Sequence, residues 1–171
     1  MSISRSIKLG VAAIAVVGLL SGCTTENQTT PPSPAASSTP SRSMSAAEAV
    51  VAEVPGAKLE AARAWDGTTA YVTATLSVTE AFTGDAAALI DYSLAQLASQ
   101  DEVDRGRFVR FSFEAPGQTL ETTKALLASL SIESTQYAGG SSLELANQDM
   151  DDRYGTWPAA VPDLPASLIT N

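Results

Sequence analysis

The sequence predicts an α+β domain, a two-layer sandwich in which a mainly antiparallel sheet of about four strands carries helices on one face. Three observations point there. Segments with apolar residues at helical spacing alternate with segments of period two. Each period-two segment has one apolar and one polar face. Asp66-Gly67 stands between two such segments as a hairpin turn.

Ser45-Ala46-Ala47-Glu48 has the pattern of a capping box and opens a short helix with Ala47, Val50, Val51 and Val54 on one side. Pro55-Gly56 ends it. Centring the next turn on Asp66-Gly67 pairs Leu59 with Ala74 and Ala61 with Val72 on the apolar face. Lys58 with Thr75 and Glu60 with Thr73 then fall on the polar one. Arg63 interrupts the apolar face as a rim residue, and Trp65 reads as a packing residue over an open end of the core. A second helix is expected from about Asp85 to Gln100, with Ile90, Leu94 and Leu97 inward. A strand follows from Arg107 to Glu114, with Val109, Phe111 and Phe113 on its apolar face. Leu120, Thr123, Leu127 and Leu130 mark a third helix, and Gly139-Gly140 precedes a last strand from Ser142 to Ala146. Residues 149–171 read as an acidic tail. Pro158, Pro162 and Pro165 interrupt regular structure there, with Trp157 and Leu164 either pinning the tail to the domain or leaving it mobile. The domain proper is therefore expected over residues 45–148.

The N-terminal stretch is of another kind. Arg5 and Lys8 precede twelve apolar or glycine residues, Leu9 to Leu20. As a helix that run spans roughly 18 Å, short of the ~30 Å hydrocarbon core of a bilayer. A short apolar run behind a basic start is the pattern of a secretory signal peptide. Leu20-Ser21-Gly22-Cys23 follows, and it resembles the lipobox of bacterial lipoproteins: a Leu, two small residues, then Cys. The resemblance implies that residues 1–22 are removed as a leader and that Cys23 becomes a lipid-modified N-terminus. A diacylglyceryl group carrying acyl chains such as palmitate then anchors the protein to the cell membrane on its extracytoplasmic side. Two chains suffice for stable anchoring where one does not. Cys23 is the only cysteine, so no disulfide is expected in the folded part. From Thr24 to Ser45, fifteen of 22 residues are Ser, Thr or Pro. Residues 23–44 are thus expected to be a disordered tether, with a reach of roughly 25 Å as coil and up to about 70 Å as polyproline.

Composition narrows the function. The chain has 10 basic and 19 acidic side chains, a formal −9, and loss of Arg5 and Lys8 with the leader takes it to −11. Such a surface disfavours nucleic acid. No histidine is present, so His-based triads, bases and metal ligands are excluded. Asn147, Asp149 and Asp151 alternate like the opening of a calcium-binding EF-hand loop, a weak candidate metal set. The glycine and glutamate that such a loop needs at its sixth and twelfth positions are Asp152 and Pro158 here. No cofactor is implied, and neither Lys58 nor Lys124 completes a Ser–Lys nucleophile motif. The register places Tyr71, Thr73, Thr75, Phe108 and Arg110 on the sheet face away from the helices, a candidate surface for binding or for homodimerisation. The run from Val54-Pro55-Gly56 through Asp66-Gly67 to Leu76 is similar to the start of BON-type domains, small envelope modules of which some bind phospholipid. The functional expectation is a lipid-anchored, non-enzymatic module that binds an envelope protein or ligand. The alternatives are a carboxylate-dependent envelope hydrolase and a lipid-binding BON-like module.

Overall fold

The computed structural model describes residues 42–102 and 108–169. The expected leader, Cys23, the expected tether up to residue 41, and Arg107 lie outside them. The elements run α1 (Met44–Val51), β1 (Ala57–Asp66), β2 (Thr69–Val78), α2 (Ala86–Ala98), β3 (Val109–Glu114), α3 (Leu120–Ser129), β4 (Ser134–Gln136), β5 (Leu143–Leu145) and α4 (Asn147–Tyr154), then a 3-10 turn at Ala166–Leu168. The strands form one five-stranded sheet in the order β1-β2-β3-β5-β4. All pairings are antiparallel except β2 with β3, which are parallel because α2 carries the chain back between them. The fold is α+β, with one strand more than expected.

In the hairpin both faces are as read, but the register differs by two residues. Leu59 pairs with Leu76, Ala61 with Ala74 and Asp66 with Thr69, so the loop is Gly67-Thr68. Gly67 has a φ of +60°, the left-handed conformation that a II′ turn requires at its first central residue. Glycine therefore takes the first loop position, and Asp66 becomes the last paired residue of β1. An even shift exchanges no side chain between faces.

Val72, Ala74, Leu76, Val109, Phe111, Phe113, Leu143 and Leu145 turn to the side where the helices lie. They share one core with Leu89, Ile90, Leu94 and Leu97 of α2 and with Leu127 of α3. Helix α2 starts as expected, with Asp85 accepting from the Ala88 N–H. Helix α1 does not. Its cap is Ser43, which accepts from the Ala46 N–H at 3.1 Å, and the expected capping box at Ser45 is absent. Glu48 reaches sideways instead, where its Oε1 accepts from the Ala61 N–H of β1 at 2.7 Å. Strand β1 is a sheet edge, and α1 covers part of it through that bond.

The chain beyond residue 148 belongs to the same body. Residues 147–154 are helical, and Met150 is fully buried in the core. The segment after α4 returns across the end of α2: the Ala159 N–H donates to the Ala98 carbonyl, and Gln96 Nε2 donates to the Pro162 carbonyl at 3.1 Å. Leu168 is buried, while Trp157 and Leu164 pack against the core. Of the two arrangements open for the tail, pinning is the one present.

Candidate functional site

The five residues expected on the outer sheet face do lie there, and the structure draws three of them together. Arg110 is opposite Thr73 in the β2–β3 register, so Tyr71 on β2 and Phe108 just before β3, each two residues earlier in the chain, are neighbours on the same face. Their rings stack with centroids 4.9 Å apart and planes 20° from parallel. The Arg110 guanidinium lies 4.1 Å from the Tyr71 ring centroid and 5.0 Å from that of Phe108. Its Nη1 donates to the Tyr71 hydroxyl at 2.9 Å. Thr73 and Thr75 stand further along β2, half-buried, and the Thr73 hydroxyl donates to the Ala62 carbonyl. They belong to the face but not to the cluster.

Two members of the cluster were not anticipated. Tyr137 covers Arg110 with its ring centroid only 3.2 Å from the guanidinium carbon. Asp66 places its Oδ2 3.6 Å from Arg110 Nη2 and accepts from the Tyr137 hydroxyl at 3.4 Å. The result is an arginine held among three aromatic rings and one carboxylate. Its side chain is only 11% exposed although the face carries no share of the main core. Cation–π contact of this kind strengthens as the cation loses water. Tyr71 is consequently buried, at 8% exposure, where a solvent-facing residue was expected. The cluster ties the β1–β2 hairpin end to the chain just after β4. No sequence-local signal announces that contact, because it depends on β5 inserting between β3 and β4.

Trp65 also departs from expectation. It packs over no core end: 59% of it is exposed, with the Arg63 guanidinium 4.8 Å above its ring. Arg63 is opposite Val72 and Trp65 opposite Ala70, so both sit on the core-side face of β1 where the hairpin runs past the start of β3.

The weak metal candidates fail on geometry. Asn147, Asp149 and Asp151 are consecutive alternate positions of α4, and two residues along a helix is a turn of about 200°. Asp149 therefore faces away from the other two, and its Oδ2 accepts from the Glu133 N–H at 2.6 Å. Among the described residues no group of three or more His, Cys, Asp or Glu side chains is placed to hold a metal ion.

The concave parts of the surface are shallow. A groove of about 730 Å³ between α3 and β4 is lined by Glu121, Lys124, Glu133 and Asp149. Another of about 620 Å³ runs between α1 and β1, past Glu48, Lys58, Glu60 and Thr73. The carboxylates of Glu48 and Asp149 are already committed to backbone N–H groups. A third groove, about 470 Å³, passes Asp91, Arg153 and Tyr154. Burial pushes the Asp91 carboxyl up, but the hydrogen bonds from Arg153 and Tyr154 and the Arg153 charge outweigh it and hold the carboxyl below its usual range. Burial and the adjoining Asp91 charge push the Tyr154 phenol far up. Asp91, Arg153 and Tyr154 thus form a structural tie between α2 and α4.

No protein-family model, curated protein or solved structure matches the chain.

Proposed function

We propose that this chain is a lipoprotein precursor. Cys23 carries the acyl anchor, and the α+β domain works as a non-enzymatic interaction module on the extracytoplasmic side of the cell membrane. The observation that carries the reading is the order of residues 1–23: Arg5 and Lys8, the apolar run Leu9 to Leu20, then Leu20-Ser21-Gly22-Cys23, with no other cysteine in the chain. No helix among the described residues is long and apolar enough to cross a membrane; in this reading the acyl group on Cys23 supplies the anchor.

The non-enzymatic half of the reading is supported by what the polar side chains do. Glu48, Asp91 and Asp149, each lining a groove, are engaged in holding elements together. Thr75, Ser112 and Glu144 share the outer sheet face with Thr73, beside the Arg110 cluster. The test is a cross-linker placed on that face. Thr75→Cys in a Cys23-acylated chain should give a discrete adduct in intact cells, lost when Thr73 and Ser112 are changed to Lys. A homodimer and an adduct with another envelope protein differ in mass.

The hydrolase reading has one observation in its favour, the convergence of Glu121, Glu133 and Asp149 on one groove. Glu121→Gln with unchanged cellular phenotype would remove it.

A further inference from the structure

The position of Trp65 relative to the start of the domain carries a more specific inference. Arg42, the first described residue, is fastened to the C-terminal end of α2. Its guanidinium donates to the Ser99 hydroxyl, the Gln96 side chain and the Gln96 carbonyl, and its backbone N–H donates to Asp101 Oδ1 at 2.8 Å. Met44 is held alongside by Glu102, whose Oε2 accepts its N–H. A cation at a helix C-terminus is favourably placed, and here it fixes where the preceding chain leaves the domain.

That point is at the hairpin end. Strand β3 runs parallel to β2, so the chain must cross back through α2, and the C-terminus of α2 lies at the end of the sheet where β2 and β3 begin. The β1–β2 turn, Gly67-Thr68, is at that same end. Thr69 to Tyr71 precede the first β2 residue in the β2–β3 register, so the tip projects roughly 10 Å past Val109. Trp65 is the bulky apolar side chain on this projection, among Ala62, Ala64 and Ala70. Between Ala61 and Tyr71 the charged residues are Arg63, stacked on Trp65, and Asp66, which is paired with Arg110. The hairpin tip itself is therefore close to neutral, while Asp101 and Glu102 flank the Arg42 attachment at the same end of the domain.

We propose that this tip is the membrane contact of the domain, with Trp65 seated in the interfacial layer of a phospholipid bilayer and Arg63 turned to the lipid phosphates. The proposal rests on the acyl-anchor reading for the presence of a membrane: 18 residues separate Cys23 from Arg42, and Arg42 is held at the tip end of the domain. Indole has an apolar body and one N–H donor, which suits it to the layer between hydrocarbon and water. Arginine beside it extends a long stem and keeps its charge at the phosphate level. The domain then meets the bilayer through a hairpin tip whose own charges, Arg63 and Asp66, balance, so an anionic leaflet does not repel the tip itself.

The chain has two tryptophans, Trp65 and Trp157, and this makes the test direct. Full-length acylated protein is reconstituted into phosphatidylcholine vesicles, with and without bromine on the upper acyl carbons. Trp157→Phe leaves Trp65 as the reporter, and Trp65→Phe leaves Trp157, which packs against the core. The expected result is a blue-shifted Trp65 emission quenched about twofold or more by the brominated lipid, with Trp157 unaffected. Arg63→Glu should reduce the quenching without altering the far-UV circular dichroism. Water-like, unquenched Trp65 emission in protein that floats with the vesicles overturns the contact, leaves anchoring intact and assigns the tip to a protein partner. If the protein fails to float, anchoring has failed. The same variants titrated with brominated vesicles then decide the contact separately, and water-like Trp65 emission at every lipid concentration overturns it.

Discussion

Arg153 and Asp91 join α4 to α2 through two parallel hydrogen bonds, Nε to Oδ1 at 2.6 Å and Nη2 to Oδ2 at 2.8 Å. The same arginine donates from Nη1 to the Leu130 carbonyl at the end of α3, and the Tyr154 hydroxyl completes the set on Asp91. Three helices meet at one arginine. The Asp91 carboxyl is held below its unfolded value of 3.8, so its contribution is fully present above that pH and is lost as pH falls through the lower folded value. A third of the pair is in solvent, which limits the contribution to about 1 kcal/mol. Urea midpoints measured from pH 7 down to about 2.5 should fall at the acid end more steeply for the native chain than for Asp91→Asn. Parallel curves would show that the tie does not contribute.

The two faces of β2 and β3 should respond differently to truncation. Phe111 is fully buried in the core, and Phe111→Ala should cost ~3–5 kcal/mol in a denaturant melt. Thr73→Ala, half-exposed, should cost less than about 0.5 kcal/mol. Tyr71→Ala belongs between them at ~2 kcal/mol, because its ring is buried under Phe108 and Arg110 rather than open to water. Equal losses for Phe111 and Thr73 would mean that a further layer covers the outer face.

The Arg110 cluster depends on a flat cation. Arg110→Lys keeps the charge but loses the planar group that fits between the rings, and should cost about 1–2 kcal/mol. A double-mutant cycle of Arg110→Met and Tyr137→Leu should give a coupling of about 0.5–1.5 kcal/mol. Additive losses would mean that the two side chains do not support one another.

Two glycines with left-handed backbone separate strain from crowding. At Gly67 an added Cβ meets nothing within 4 Å, so Gly67→Ala should cost only the conformational penalty, about 1 kcal/mol. At Gly56 a Cβ falls 2.6 Å from the Phe82 nitrogen and 2.9 Å from Thr79 Oγ1. Gly56→Ala should cost about 2–4 kcal/mol, since backbone has to move as well. Chemical denaturation of the two variants reads the difference.

Long periodic segments were legible in the chain. The apolar faces of α2 and β3 are where their spacing put them, and the alternation along β2 and along residues 108–114 placed Tyr71, Phe108 and Arg110 on the face away from the helices. Features decided by a single residue were not. The spacing of Ser45 and Glu48 suggests a capping box, but Glu48 is engaged with β1 and Ser43 caps the helix instead. Asp-Gly suggests one turn, while the paired Asp66 and Thr69 impose another. Strand β4 has three residues, too few for a period. Helix α4 is strongly polar and buries one residue, Met150, so its alternating acids looked like a loop. Tyr137 joins the cluster through strand order alone, which no local pattern contains.

The central claim, anchoring through Cys23, is tested most directly by the intact mass of the protein extracted from membranes with detergent. The account predicts a chain beginning at Cys23, heavier than residues 23–171 by at least a diacylglyceryl group, and a Cys23→Ser variant that lacks this species. An unmodified chain still carrying residues 1–22, or one cleaved after Gly22 with no added lipid and recovered in the soluble fraction, would contradict it.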